Sequence, residues 1–64
     1  MPVYVYVLSK DGRLIEERPG EHADDDAARE RLLRIASWRA GLTVEGYRVN
    51  RDGSRERIGT TRPA

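Results

Sequence analysis

Cysteine is absent from this chain, so neither a disulfide framework nor a thiolate zinc site can hold it together. Phenylalanine is absent too, and tryptophan and methionine occur once each. The one histidine, His22, leaves metal and triad chemistry without the partners they need. No glycine-rich phosphate loop, nucleophile elbow or zinc spacing occurs. The adjacent carboxylates Glu16 and Glu17 point to opposite faces of a strand, so they form no acid–base dyad. No apolar run reaches membrane-spanning length, and no charged-then-apolar signal segment opens the chain. The expectation is a cytoplasmic, non-enzymatic protein with no cofactor, no metal, no membrane contact and no small-molecule substrate.

What is present is charge, and it is unevenly spread. Residues 1–26 hold three basic side chains against seven acids, a net of −4, and residues 27–64 hold nine arginines against four acids, a net of +5. Such asymmetry suits a nucleic-acid or acidic-partner surface, and it equally suits two halves that attract each other. Lysine occurs once, so the basic character is almost entirely arginine, the residue of planar bidentate contacts. An arginine-rich, lysine-poor composition also speaks mildly against a designed origin. The 64 residues form one domain, 1–64, with a thin core. Without a disulfide or a metal, pairing with a partner or a second copy is a natural source of stability.

The segment from Asp24 to Gly41 has the helical period, which predicts a helix over about 24–40. Ala28, Leu32, Ile35 and Ala36 share one face, with Leu33 and Trp38 at its margins. Asp24 or Asp25 caps the first amides, the remaining aspartates favour the positive end of the dipole, and Gly41 is a left-handed stop. Asp25→Arg29 and Glu30→Arg34 have the spacing of supporting ion pairs. Trp38 is expected to close one end of the core, or else to join Arg31 and Arg34 in an exposed patch.

Strands are predicted at about 2–9, 13–18, 44–50 and 55–61, with the first two and the last two joined as hairpins. For the first hairpin, a three-residue loop with Gly12 left-handed pairs Val7 with Ile15 and Leu8 with Leu14. That register assigns Val3, Val5, Val7 and Ile15 to the inner face and Tyr4, Tyr6, Leu8 and Leu14 to the outer one. For the second hairpin, an even loop sets Tyr47 opposite Ile58 with Val49 beside them, and leaves Arg48, Arg55 and Arg57 together on the reverse face. Arg18-Pro19-Gly20 is read as the end of the second strand. Gly46 and Gly59 are candidate bulge sites.

These elements assemble into an α+β domain of ββαββ order, a four-stranded antiparallel sheet with one helix packed on one face. Strand order 2-1-3-4 is favoured, because it centres the apolar first strand and makes every neighbour antiparallel; 2-1-4-3 is the alternative. The candidate site is the outer sheet face, with Tyr4, Tyr6, Arg48, Arg55 and Arg57. Aromatics beside arginines suit base stacking and phosphate pairing, and the same mixture suits a protein–protein hot spot. The expected function is therefore a binding module for nucleic acid, or alternatively a protein-interaction module (inhibitor, antitoxin-like or phage-type accessory protein) able to homodimerise through that face.

The opening VYVYVLSKDGRLIE resembles the hairpin that begins GIY-YIG nucleases, but Leu14-Ile15-Glu16 lacks the tyrosine and glycine of that family's second triplet, so no nuclease chemistry is inferred. The sheet-plus-helix plan is similar to that of integrase-type sheet DNA binders, which implies fold and not function.

Overall fold

The computed structural model describes residues 2–63. It contains β1 (Val3–Lys10), β2 (Arg13–Glu21), α1 (Asp25–Trp38), β3 (Thr43–Val49) and β4 (Arg55–Thr61). The strands form one antiparallel sheet in the order β2-β1-β3-β4, the order the pattern predicts. α1 lies across one face and packs mainly over β3 and β4.

Local chemistry accounts for the helix. The Asp24 carboxylate accepts from the Ala27 amide at 2.9 Å, which caps the first turn. At the other end the Arg39 amide still donates to the Ile35 carbonyl, and Gly41 turns the chain away at φ 89°. Ala28, Leu32 and Ile35 are buried as the helical period requires. Trp38 does not close the core. It is 62% exposed, with the Arg31 guanidinium 5.2 Å above its ring.

Both turns differ from expectation, and the two turn types are exchanged. Asp11 and Gly12 have φ of 52° and 79°, so the first hairpin uses a two-residue turn with Lys10 opposite Arg13. Both central residues are left-handed, which matches the twist of the strands, and Asp-Gly is well suited to it. A bulge then leaves Ile15 unpaired, so Leu8 faces Glu16 and Val7 faces Glu17. In the second hairpin Asn50 donates to the Ser54 carbonyl across Arg51-Asp52-Gly53, with Gly53 at φ 88°. The Asp52 carboxylate accepts from the Ser54 amide and stabilises this odd loop. Tyr47 therefore lies opposite Arg57 and not Ile58.

These registers invert the predicted faces. Tyr4, Tyr6, Leu8 and Val44 are buried with Ala28, Leu32 and Ile35. Ile58, displaced by a second bulge between Gly46 and Tyr47, packs against them. Volume is the physical reason. A helix over a sheet leaves a gap of about 10 Å, which two tyrosines and a leucine fill and three valines do not. Val5 is buried nonetheless, whereas Val7, Tyr47 and Val49 are only half-buried and lie on the side away from α1.

Two glycines set distances. A Cβ on Gly46 would sit 2.8 Å from Leu32 Cδ1, so glycine is what lets α1 approach β3. Gly20, inside β2, would place its Cβ 3.0 Å from the His22 ring. β2 runs through Pro19 and Gly20 instead of ending at Arg18, and an edge strand tolerates a proline whose missing donor faces outward.

Leu32→Ala should cost about 2–5 kcal/mol in a domain this small. Gly46→Ala should cost more in the wild-type background than in Leu32→Ala, because the leucine is the atom in the way. A denaturant double-mutant cycle reads the coupling, and additive costs would contradict the close approach.

Candidate functional site

With the faces fixed, the side of the sheet opposite α1 can be read row by row. One row runs Glu21, Val3, Val49, Arg55; the next Pro19, Val5, Tyr47, Arg57; the third Glu17, Val7, Glu45, Thr60. An apolar centre on β1 and β3 is thus flanked by carboxylates on β2 and guanidiniums on β4. The face carries Glu17, Glu21 and Glu45 against Arg55 and Arg57, a net of −1.

Its charges are largely engaged within the chain. Arg55 donates to Glu17 at 2.9 Å, reaching across the sheet from one edge strand to the other. Arg57 Nη1 lies 3.4 Å from Glu45 Oε2, which also accepts from the Tyr47 hydroxyl at 3.0 Å. Val5, between these groups, is only 8% exposed, whereas Val3 is 42% exposed.

The predicted site residues are divided between the two faces. Arg55 and Arg57 share the open face. Arg48 does not join them, because it pairs with Tyr4 in β1 and points to the helix side. There it bonds Asp25 at 2.8 Å and Glu56, which ties the start of α1 to β4. Tyr4 and Tyr6, expected on the outer face, are 1% and 2% exposed beneath the helix. Neither can stack on a base there. Glu16 lies on the helix side and bonds Arg39, and Glu45 lies on the open face with Arg57.

The buried tyrosines organise the polar side of the core. The Tyr4 hydroxyl donates to Asp25 at 2.8 Å. The Tyr6 hydroxyl donates to the Ala28 carbonyl at 3.1 Å and lies 2.8 Å from His22 Nε2. With its one proton on the carbonyl, it accepts from His22, which places the imidazole proton on Nε2. Desolvation pushes the Tyr6 phenol up to about 12. Burial and the bond to Asp25 raise Tyr4 as well. The Tyr4 hydrogen bond, with Arg48 beside it, holds the Asp25 carboxyl below its ordinary range. The three consecutive aspartates therefore have three separate tasks: Asp24 caps, Asp25 bonds Tyr4 and Arg48, and Asp26 bonds Arg29.

The valine row and its flanking carboxylates escaped prediction, although β1 contained a usable signal. Valine alternates there with tyrosine, and only the larger set spans the gap to a helix. Comparison with protein-family models, curated proteins and solved structures finds no match to this chain. Among the described residues no helix is long and apolar enough to cross a membrane.

The pH dependence follows from these groups. Tyr6 is raised on folding, so its contribution is complete below about pH 10 and lost as pH rises toward 12. Asp25 is lowered, so its contribution is complete above its ordinary value of 3.8 and lost as pH falls through the folded value. Wild type should lose stability at both extremes. Tyr6→Phe should be less stable at neutral pH by about 1 kcal/mol and flatter in the alkaline limb, with Tyr4 and Tyr47 supplying the remainder. Chemical denaturation across pH measures this, and an unchanged alkaline limb in Tyr6→Phe would show that its phenol is not desolvated.

Proposed function

We propose that this protein is a non-enzymatic interaction module that pairs with a second copy of itself through the open face of its sheet. The observation that carries the reading is the cross-strand row Glu21, Val3, Val49, Arg55, apolar in its middle and oppositely charged at its ends. A two-fold axis along the strands sets β2 of one copy over β4 of the other. Val3 then meets Val49 of the partner subunit, and Glu21 lies over Arg55 of the partner subunit, which shares its bond to Glu17 with the incoming carboxylate. An isologous contact of this kind needs no second type of surface.

Electrostatics favours this reading over nucleic-acid binding at the same face. Phosphate contact requires free positive charge, and this face is net negative with Arg55 and Arg57 already held by carboxylates. Burial of Tyr4 and Tyr6 removes the stacking partners as well.

Sedimentation equilibrium should show a dimer that weakens only modestly with salt, because its rim charge pairs are screened and its apolar centre is not. Glu21→Arg should weaken it by about tenfold or more, and adding Arg55→Glu to the same chain should restore part of the loss. A monomer at every concentration would falsify the pairing. Salt-sensitive binding of short DNA or RNA by fluorescence anisotropy, lost on Arg55→Gln and Arg57→Gln, would support the nucleic-acid reading in its place.

A further inference from the structure

A second surface lies on the opposite side of the sheet and is independent of the pairing face. Because α1 stands over β3 and β4, the helix side of β2 is left uncovered. A groove of about 460 Å³ opens between β2 and α1. Gly20 contributes no side chain to fill it, and Tyr6 with His22 forms part of its lining. The Arg39–Glu16 bond ties β2 to the end of α1, and the Tyr6–His22 bond anchors the approach to its start.

Three arginines line this groove, Arg31 and Arg34 from α1 and Arg18 from β2. Like Arg13 at the start of β2, they differ from the five arginines that the fold ties to carboxylates. Arg29, Arg39, Arg48, Arg55 and Arg57 each bond a carboxylate. Among the described residues Arg31 and Arg34 have no carboxylate within 4.0 Å, and Arg18 reaches Glu16 only at 3.9 Å. Glu30 also lines the groove, and Glu21 reaches its rim from a strand position whose side chain belongs to the open face, so the three guanidiniums outnumber the carboxylates beside them. Arg31 is held on the face of Trp38, which fixes its plane without neutralising it.

We propose that this groove binds a small phosphate-bearing molecule, with Arg31, Arg34 and Arg18 as the groups that hold the phosphate. Guanidiniums brought from a helix and a strand offer forked donors from more than one direction. That arrangement suits a tetrahedral dianion, whereas one bidentate arginine already satisfies a carboxylate. The volume lies within the range of about 300–1,000 Å³ for small-molecule sites. A groove of this volume with Glu30 in its lining favours a compact ligand over a polyanionic strand.

Isothermal titration of the whole protein with inorganic phosphate, pyrophosphate and a nucleoside monophosphate tests this, with sulfate and acetate as controls. Trp38, the single tryptophan, reports through its contact with Arg31, so its fluorescence should change on saturation. Arg34→Gln and Arg18→Gln should each weaken binding by about tenfold. Arg29→Gln, on the far side of α1 and bonded to Asp26, should leave it unchanged. Arg34 and Arg18 are both exposed, so their variants should keep the wild-type circular dichroism. Saturable binding of a phosphate ester over inorganic phosphate assigns the groove to an organic ligand, and equal binding assigns it to the anion alone. No saturable binding, equal weakening by Arg29→Gln, or binding confined to an oligonucleotide would each overturn the proposal.

Discussion

Two phenolic hydroxyls have to be satisfied beneath a helix, and most of the architecture follows from how that is done. Tyr4 and Tyr6 are almost wholly buried, and an unpaired hydroxyl there would cost about 1–3 kcal/mol. Tyr4 finds Asp25 in the first turn of α1, and Tyr6 finds the Ala28 carbonyl one turn later together with His22. Those bonds locate the start of the helix over β1 with a precision that apolar contact alone does not supply. They also explain why Asp25 takes Arg48 and Tyr4 rather than the Arg29 its spacing suggests.

The edges of the sheet are arranged around that centre. Each hairpin carries a bulge, one beside Ile15 and one beside Ile58, and each bulge changes which side chains share a face. At Ile58 the extra residue brings an isoleucine into the core beside Gly46, where the helix approaches most closely. At Ile15 it leaves an apolar side chain on an edge strand, 48% exposed with Leu14 at 61%. Pro19 removes a donor from the middle of that edge, which limits strand-to-strand pairing there.

The arginines divide according to whether the fold uses them. Arg48 and Arg39 join α1 to the sheet, and Arg55 and Arg57 bond carboxylates across the open face. Ion pairs this exposed contribute little to stability individually, but they consume the positive charge that a nucleic-acid surface would need. Arg31 and Arg34, left without a carboxylate partner, and Arg18, which reaches Glu16 only at 3.9 Å, come together beside β2. The two proposals therefore concern opposite sides of one sheet: pairing where charge is balanced, and phosphate binding where it is not.

Local periodicity was enough for the helix from its aspartate cap to Gly41, the four strands and the ββαββ order, because each depends on neighbours in sequence, and the strand order followed from centring the apolar first strand with every neighbour antiparallel. The inward set Ala28, Leu32 and Ile35 was legible for the same reason. The faces of the sheet were not. In β1 both alternating sets are apolar enough to be buried, and a one-residue change in turn or bulge exchanges them. That choice rested on volumes and hydroxyl partners contributed by α1, distant in sequence. Arg55 and Arg57 could be placed on one face from spacing, but Arg48 was separated from them by the same inversion, and Tyr4 and Tyr6 passed from candidate surface to core. The sequence by itself determined which elements form and in what order; only the packed helix decided which side of the sheet remains open, because that depends on which side chains span the gap.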